Sequence, residues 1–208
     1  MTRKVKIPVS TVGRLSIYLR VFSQVAKTQG TISSKGLAEW TGINSAQVRK
    51  DLAYFGQFGR RGVGYSIQDL KAQITSILGL DREWNAAIIG VGHLGTALLM
   101  YRGFGSRRFK VTAAFDTDPD KISWELEGIR IHDLADLAAV AREKRIEIAI
   151  LSVPAEAAQE VANQVVAAQI PAILNFVPVR LVVPKHVLLR DVDLAGELEA
   201  LTYAMRKR

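Results

Sequence analysis

The chain has 208 residues, with 28 Lys+Arg against 20 Asp+Glu and no cysteine. That length allows one or two ordinary domains, and the missing thiols exclude a disulfide scaffold, a thiolate zinc site, an iron–sulfur cluster and thiol-based redox sensing. Apolar residues make up 49% of the chain, enough for a proper core. No apolar run nears the ~20 residues that span a bilayer, and the first residues lack a signal-peptide apolar stretch, so the expectation is a cytoplasmic protein with no membrane partner.

Charge is segregated along the chain. Residues 1–65 carry eleven Lys or Arg and only Glu39 and Asp51 as acids, a balance of +9, whereas residues 66–208 carry seventeen bases and eighteen acids, a balance of −1. A basic surface serving solubility alone needs no such imbalance; a segregated one points to a polyanion partner. Membrane-surface binding fits less well, because the bases are interleaved with apolar positions rather than placed along one amphipathic helix.

A first helix is expected after Pro8, with Val12, Leu15, Leu19, Phe22 and Ala26 as one buried stripe and Gly30 at its end. Ser33 and Ser34 can cap a short helix over 37–40 that stops at Gly42. Asn44 suits the N-cap of a third helix over 45–55, with Val48, Leu52 and Phe55 facing inward and Ser45, Gln47, Arg49, Lys50 and Tyr54 outward. This order of elements is the helix-turn-helix pattern. The first turns of the third helix bring Ser45, Gln47 and Arg49 near base edges, where Gln suits adenine and Arg guanine; Lys50 and Tyr54 are better placed for phosphates. Residues 56–64 contain four glycines, which permits a hairpin with Arg60 and Arg61 at its tip, a wing reaching a phosphate or the minor groove. Such folds also occur as plain protein-interaction domains, but the charge and the arginine wing favour DNA. Ser66 and Asp69 resemble a capping box for a helix burying Ile67, Leu70, Ile74 and Ile77. It ends at Gly79, with residues 80–83 as linker.

From Trp84 the pattern alternates between strand and helix. Residues 85–89 form a buried-strand run, followed by Gly90-Val91-Gly92-His93-Leu94-Gly95 and a helix over 96–101. That context gives the glycine loop meaning: Gly90 for the tight turn, Gly92 for backbone approach to a pyrophosphate, Gly95 for close helix–strand packing, and the helix N-terminus for partial positive charge. A second strand over 109–115 ends in Asp116, 21 residues past Gly95. That is close to the spacing of ~20 for the acid that binds the adenine ribose, and it favours NAD over NADP. The alternative for Asp116 is a cap of the turn that follows it. Further strands are expected over 128–132, 146–153, 172–176 and 187–192, and helices over 133–144 and 155–168. Val153-Pro154 and Asn175-Phe176 close two strands at their carboxyl ends, where doubly wound sheets bind ligands. A terminal helix over 193–208 carries Leu194, Leu198, Leu201 and Met205 as a stripe that must dock on its own domain or on another subunit.

These residues match a known family. In order along the chain, Gln47-Val48-Arg49-Lys50-Asp51-Leu52, Phe58-Gly59-Arg60-Arg61-Gly62-Val63-Gly64-Tyr65, the glycine loop, Tyr101-Arg102-Gly103-Phe104, Phe115-Asp116-Thr117-Asp118-Pro119, Asn175-Phe176 and Val192-Asp193-Leu194 resemble the Rex redox-sensing transcriptional repressors of bacteria. The resemblance implies a homodimer that binds palindromic operator DNA through winged helices and is released when NADH, in competition with NAD+, occupies a Rossmann domain. It also implies a terminal helix exchanged between subunits and a polar switch formed by Arg14, Tyr101 and Asp193. The cofactor residues are then Gly90, Val91, Gly92, His93, Leu94, Gly95, Tyr101, Asp116, Val153, Pro154, Asn175 and Phe176.

The expected fold is α/β: a winged helix-turn-helix domain over 1–80, a Rossmann-type doubly wound parallel sheet over 81–192, and the terminal helix over 193–208. The main rival is an NAD-dependent dehydrogenase with a basic N-terminal appendage. Its proton donor would have to come from His93, His132 or His186, none of which sits in an Arg-His-Asp grouping, and about thirty residues after the Rossmann units are few for a substrate domain. A second rival binds another nucleotide or a CoA thioester in the same fold.

Overall fold

The computed structural model describes residues 7–26, 28–55, 59–60 and 64–206. The chain divides into two units, Met1–Arg82 and Glu83–Arg208.

In the first unit, helix α1 spans Val9–Val25, α2 Ser34–Thr41, α3 Ser45–Leu52 and α4 Ile67–Ile77. The caps are local and legible. Ser33 Oγ accepts the Gly36 N–H at 2.9 Å and Asn44 Oδ1 the Ala46 N–H at 2.8 Å, while Gly42 ends α2 at φ 69°, a left-handed conformation suited to glycine. Helix α2 therefore starts three residues before the expected position. Helix α3 is shorter than expected, passing into a single 3-10 turn over Ala53–Phe55.

The buried face of α1 also differs. Leu15, Leu19 and Phe22 are buried as expected, but Val12 is 36% exposed and Ala26 is exposed, and Thr11, Tyr18 and Val25 complete the buried face instead. Thr11 and Tyr18 can lie inside because both bond to a buried acid, which satisfies their polar atoms. Helix α1 stops at Val25, short of Gly30, where the Thr28 and Gln29 N–H groups close on the Val25 carbonyl at 2.9 and 3.1 Å. In α4, Ser66 Oγ caps the Asp69 N–H and Ile67, Leu70 and Ile74 are buried, but Ile77 is 40% exposed in the last turn. Strands β1 (Thr31–Ile32), β2 (Gly59–Arg60) and β3 (Gly64–Ser66) form an antiparallel sheet in the order β1-β3-β2. Gly64 at φ 89° passes so close to β1 that a Cβ there would meet the Ile32 carbonyl oxygen at 2.8 Å.

The second unit is a seven-stranded sheet of order β10-β9-β8-β4-β5-β7-β6. Its strands are β4 (Trp84–Ile89), β5 (Phe109–Asp116), β6 (Glu125–Leu126), β7 (Ile129–Asp133), β8 (Ile148–Leu151), β9 (Ala172–Asn175) and β10 (Leu188–Asp191). All neighbours pair in parallel except β6 with β7. Apart from the short hairpin strand β6, this is the doubly wound order, with the order of strand addition reversing between β4 and β8. Helix α5 (His93–Leu99) follows β4, α6 (Leu137–Glu143) follows β7, α7 (Ala158–Ala167) follows β8 and α8 (Leu194–Met205) follows β10.

Side-chain alternation sorts the core into two layers. Ala87, Ile89, Phe115 and Leu151 face α6 and α7, while Ala86, Ile88, Ala114 and Ile150 face Leu99 of α5. The central β4 is buried on both sides, hence its unbroken apolar run. The sequence expectation missed β6. It also began α5 three residues late and placed α6 and α7 without their leading 3-10 turns, Leu134–Asp136 and Ala155–Ala157. On β7, His132 leaves its Nε2 buried without a hydrogen-bond partner. Burial, with Lys144 and Arg130 nearby, holds its pKa below the ordinary value, so the ring is neutral.

Candidate functional site

In the first unit a carboxylate organises the third helix. Asp51 of α3 is fully buried. Its Oδ2 accepts Arg14 Nε at 2.6 Å and the Tyr18 hydroxyl at 2.8 Å, and its Oδ1 accepts a second Arg14 nitrogen at 2.8 Å, Gln47 Nε2 at 2.8 Å and the Thr11 hydroxyl at 3.3 Å. Burial alone would raise the acid's pKa, but the bonds from Arg14, Tyr18 and Gln47 together hold it below the usual range. The bond to Asp51 raises the guanidinium of Arg14, and burial, then the same carboxylate, push up the phenol of Tyr18. Arg14, expected on a switch, is thus a doubly bonded partner of Asp51. Gln47, expected at a base edge, turns its amide nitrogen inward.

Arg49 and Lys50 are exposed, with Arg49 reaching Ser34 Oγ at 3.3 Å; Ser45 and Tyr54 are half-buried. In the wing, Arg60 pairs with Gly64 across β2 and β3. The Arg60 side chain and the whole of Arg61 lie outside the described residues. The Asp51 hub was missed in the sequence, although its spacing of four from Gln47 on one helix was a legible part of it.

In the second unit a cleft of about 370 Å³ opens at the carboxyl ends of the strands, within the size range of small-molecule sites. It gathers Gly90, Gly92, Asp116, Val153 and Pro154 from the expected set, and adds Phe115, Thr117, Lys121 and Ser152. Gly90 turns at φ 91°, and a Cβ on it would meet the Ser152 carbonyl oxygen at 2.7 Å. Ser152 Oγ donates to the Gly90 carbonyl at 2.9 Å. Gly95 lies directly against that same carbonyl, leaving no room for a side chain, whereas a Cβ on Gly92 would meet nothing. The loop is thus closed on its protein side and open on the other. The first bond of α5 runs from the Thr96 N–H to the Gly92 carbonyl at 2.9 Å, so the preceding amides are not used by the helix.

Asp116 is bound on every side. Its Oδ1 accepts the Thr117 and Asp118 N–H groups at 2.9 and 3.0 Å, and its Oδ2 accepts the Val91 N–H at 2.8 Å and Lys121 Nζ at 3.3 Å. Burial raises its pKa, but the Asp118 and Val91 amides and the Lys121 ammonium bring it below the ordinary value. Asp116 is therefore both the cap of its own turn and the acid facing the cleft. The remaining expected residues lie elsewhere. His93 is exposed, Leu94 is 38% exposed, and Tyr101 is 59% exposed with its ring edge-on to Phe104 at 5.1 Å. Phe176 packs half-buried on the α5 side of the sheet. Asn175 is fully buried and donates to Val177, Val179 and Asp191 at 3.0, 3.2 and 2.8 Å, so its side chain fixes the end of β9 rather than lining the cleft. Asp193 accepts the Gly196 N–H at 2.9 Å as the N-cap of α8. The α8 stripe is uncovered: Leu194, Leu198, Leu201 and Met205 are 59–66% exposed. Among the described residues no helix is long and apolar enough to cross a membrane, and no group of acids and histidines could hold a metal ion.

A basic winged-helix unit and a Rossmann unit with a glycine-loop cleft, carried on one chain, define a two-unit protein of the DNA-binding and nucleotide-binding class. Comparison with known proteins agrees. A family described as putative DNA-binding protein N-terminus matches residues 6–53, and one described as CoA binding domain matches residues 81–179. The chain is 47% identical to the redox-sensing transcriptional repressor Rex of Desulfitobacterium hafniense over 99% of both chains, and 49% identical to that of Syntrophomonas wolfei over 95% of both. It superposes on RSP, a Rex-family repressor solved in complex with NAD+ and operator DNA, with a TM-score of 0.91 and 34% identity over 98% of this chain and 94% of that one. The RSP complex with NADH gives 0.88 at 33% identity over 98% and 96%. The chain belongs to the Rex family of redox-sensing transcriptional repressors.

Proposed function

We propose that this chain is a redox-sensing repressor. As a homodimer it binds a palindromic operator through its winged helices and leaves it when NADH fills the Rossmann cleft, so that it reads the NADH/NAD+ ratio. The observation that carries this reading is a cleft lined by an open glycine loop and by Asp116 at the end of β5, on a chain that matches a NAD+- and operator-bound Rex-family repressor over nearly its full length.

In this reading the loop binds the pyrophosphate with Gly92, His93 and Leu94 on its open side while Gly90, Val91 and Gly95 shape it from behind, Asp116 takes the adenine ribose, Val153 and Pro154 form the adenine wall, and Tyr101 and Phe176 lie toward the nicotinamide. Asn175 supports the last group from behind. The dinucleotide supplies one property: its nicotinamide is cationic when oxidised and neutral when reduced. An apolar wall such as Phe176 favours the neutral form, because burying an unpaired charge is costly. The bound form then shifts the protein only by its differential affinity for two arrangements, with Tyr101 and Asp193 changing partners and Arg14 held in place by Asp51. On DNA, Ser45 and Arg49 read bases, Gln47 holds the helix in register through Asp51, and Lys50, Tyr54, Arg60 and Arg61 engage phosphates. We read the protein as a sensor that performs no turnover, a reading supported by relatives that are named transcriptional repressors.

Two assays on the purified chain test this. Equilibrium titration should give NADH at least about tenfold tighter binding than NAD+, corresponding to roughly 1.4 kcal/mol. A panel of small carbonyl compounds should leave NADH unoxidised. Equal affinities remove the redox discrimination, and steady turnover restores the dehydrogenase reading.

A further inference from the structure

Resting on the reading of the cleft as a dinucleotide site, we propose that Lys121 is a specificity-determining residue at its ribose corner, a counter-charge that gives the site a residual capacity for a 2′-phosphate. The sequence alone shows an acid at this position, which by itself would repel such a group. The structure shows an acid that is already paired.

Both oxygens of Asp116 hold two donors each: the Thr117 and Asp118 amides of its own turn, the Val91 amide of the glycine loop, and the Lys121 ammonium. A carboxylate offers about four lone-pair positions, so a ribose hydroxyl gains a place only by displacing a donor. The amides are fixed by the turn and by the glycine loop. Lys121 is the exchangeable one: it sits at 3.3 Å, longer than a good charge-assisted bond, its side chain is 34% exposed, and it lines the cleft. A second acid, Asp118, holds the same ammonium at 3.3 Å, so on leaving Asp116 the cation stays tethered beside the ribose position.

Two consequences follow for a dinucleotide. With an unmodified ribose, the hydroxyls replace Lys121 on Asp116 and the ammonium moves aside, so its charge matters little. With a 2′-phosphate, the added negative charge lies next to Asp116 and Asp118, and Lys121 is the cation within reach to offset them. Lys121 therefore governs NADPH against NADH and leaves NADH against NAD+ alone, because the ribose corner is common to the oxidised and reduced forms.

The test is NADH, NAD+ and NADPH affinity, measured by competition on the full-length wild type, K121M and K121R. Wild type should bind NADPH measurably but more weakly than NADH. K121M should lower the NADPH-to-NADH affinity ratio about tenfold, as expected for one hydrogen bond to a charged group, and leave the NADH-to-NAD+ ratio within about threefold of wild type. K121R should retain NADPH binding. The K121M loss should also shrink as salt is raised, as screening of a partly exposed charge requires. An unchanged NADPH-to-NADH ratio in K121M, an equal loss of all three nucleotides, or no NADPH binding by wild type that still binds NADH overturns the proposal while leaving the cleft reading intact. Wild type that binds none of the three overturns both.

Discussion

Replacing Arg14 with leucine should destabilise the N-terminal unit by about 3–5 kcal/mol, the usual cost of leaving a buried carboxylate without its partner, and should abolish operator binding whichever nucleotide is present. Arg14 closes two bonds on Asp51 at 2.6 and 2.8 Å, with Asp51 fully buried and the arginine side chain 24% exposed. Without the guanidinium the acid keeps only the neutral donors Tyr18, Gln47 and Thr11. A loss of this size is a large fraction of the 5–15 kcal/mol that holds an ordinary domain together. R14K should recover only part of it, because an ammonium cannot reproduce the fork.

The same hub predicts the pH dependence of this unit. The folded pKa of Asp51 lies below its ordinary value of 3.8, so its contribution is complete above that value and lost as pH falls through the lower folded pKa. In Arg14→Leu the guanidinium no longer lowers the carboxyl while burial still raises it, so protonation comes to favour the folded state and the R14L deficit should shrink as pH falls through the carboxylate range. Urea unfolding of wild type, R14L and R14K across acid pH, read by far-UV signal and operator binding, checks both points. An R14L midpoint equal to wild type contradicts the hub.

The second large effect is expected at Gly95. Its Cβ position is occupied by the Gly90 carbonyl oxygen, which is itself held by Ser152 Oγ at 2.9 Å. A methyl group in Gly95→Ala must therefore push α5 away from β4, an overpacking cost of about 3 kcal/mol because the obstruction is backbone and cannot rotate aside. NADH affinity should fall at least about a hundredfold while the winged-helix unit still binds operator. Gly92→Ala is the control for crowding on the ligand side: its Cβ would meet no protein atom, so it should leave stability within about 0.5 kcal/mol and weaken nucleotide binding alone. Thermal unfolding and NADH titration of the two variants separate these outcomes. Equal behaviour of G95A and G92A would mean that the loop is not built as described.

The contrast between what was and was not legible in the sequence follows the range of the forces involved. The Asn44 cap, the Gly42 stop, the strand–glycine loop–helix order and Asp116 were readable because each depends on residues within a few positions of one another or on a fixed spacing. Their dihedral and bonding requirements are met by few residue types. The Asp51 hub was not readable, because Thr11, Arg14 and Tyr18 lie 33–40 residues away and a polar residue gives no sequence sign that its atoms are satisfied inside. The same blindness put Val12 in the buried face of α1 in place of Thr11 and left out Tyr18, while Leu15, Leu19 and Phe22 are buried as expected. Asn175 looked like a ligand residue because amides often end such strands, yet its donors close a local turn. Lys121 carried no signal, since a lysine after three aspartates looks like an ordinary solvated turn until the fold brings it back onto Asp116. The α8 stripe was legible as apolar, but its exposure on a single chain is a property of the fold. Covering such a surface of leucines is what a second copy of the chain would accomplish in the proposed homodimer.

The central claim is that the oxidation state of a dinucleotide held in one unit decides whether the other unit stays on DNA. It is tested most directly by titrating NADH and NAD+ separately into a preformed complex of the full-length protein with a labelled palindromic operator duplex, at fixed salt. NADH should dissociate the complex at concentrations at which NAD+ leaves it intact, and added NAD+ should shift the NADH midpoint upward by competition. A complex equally resistant, or equally sensitive, to both nucleotides would contradict it.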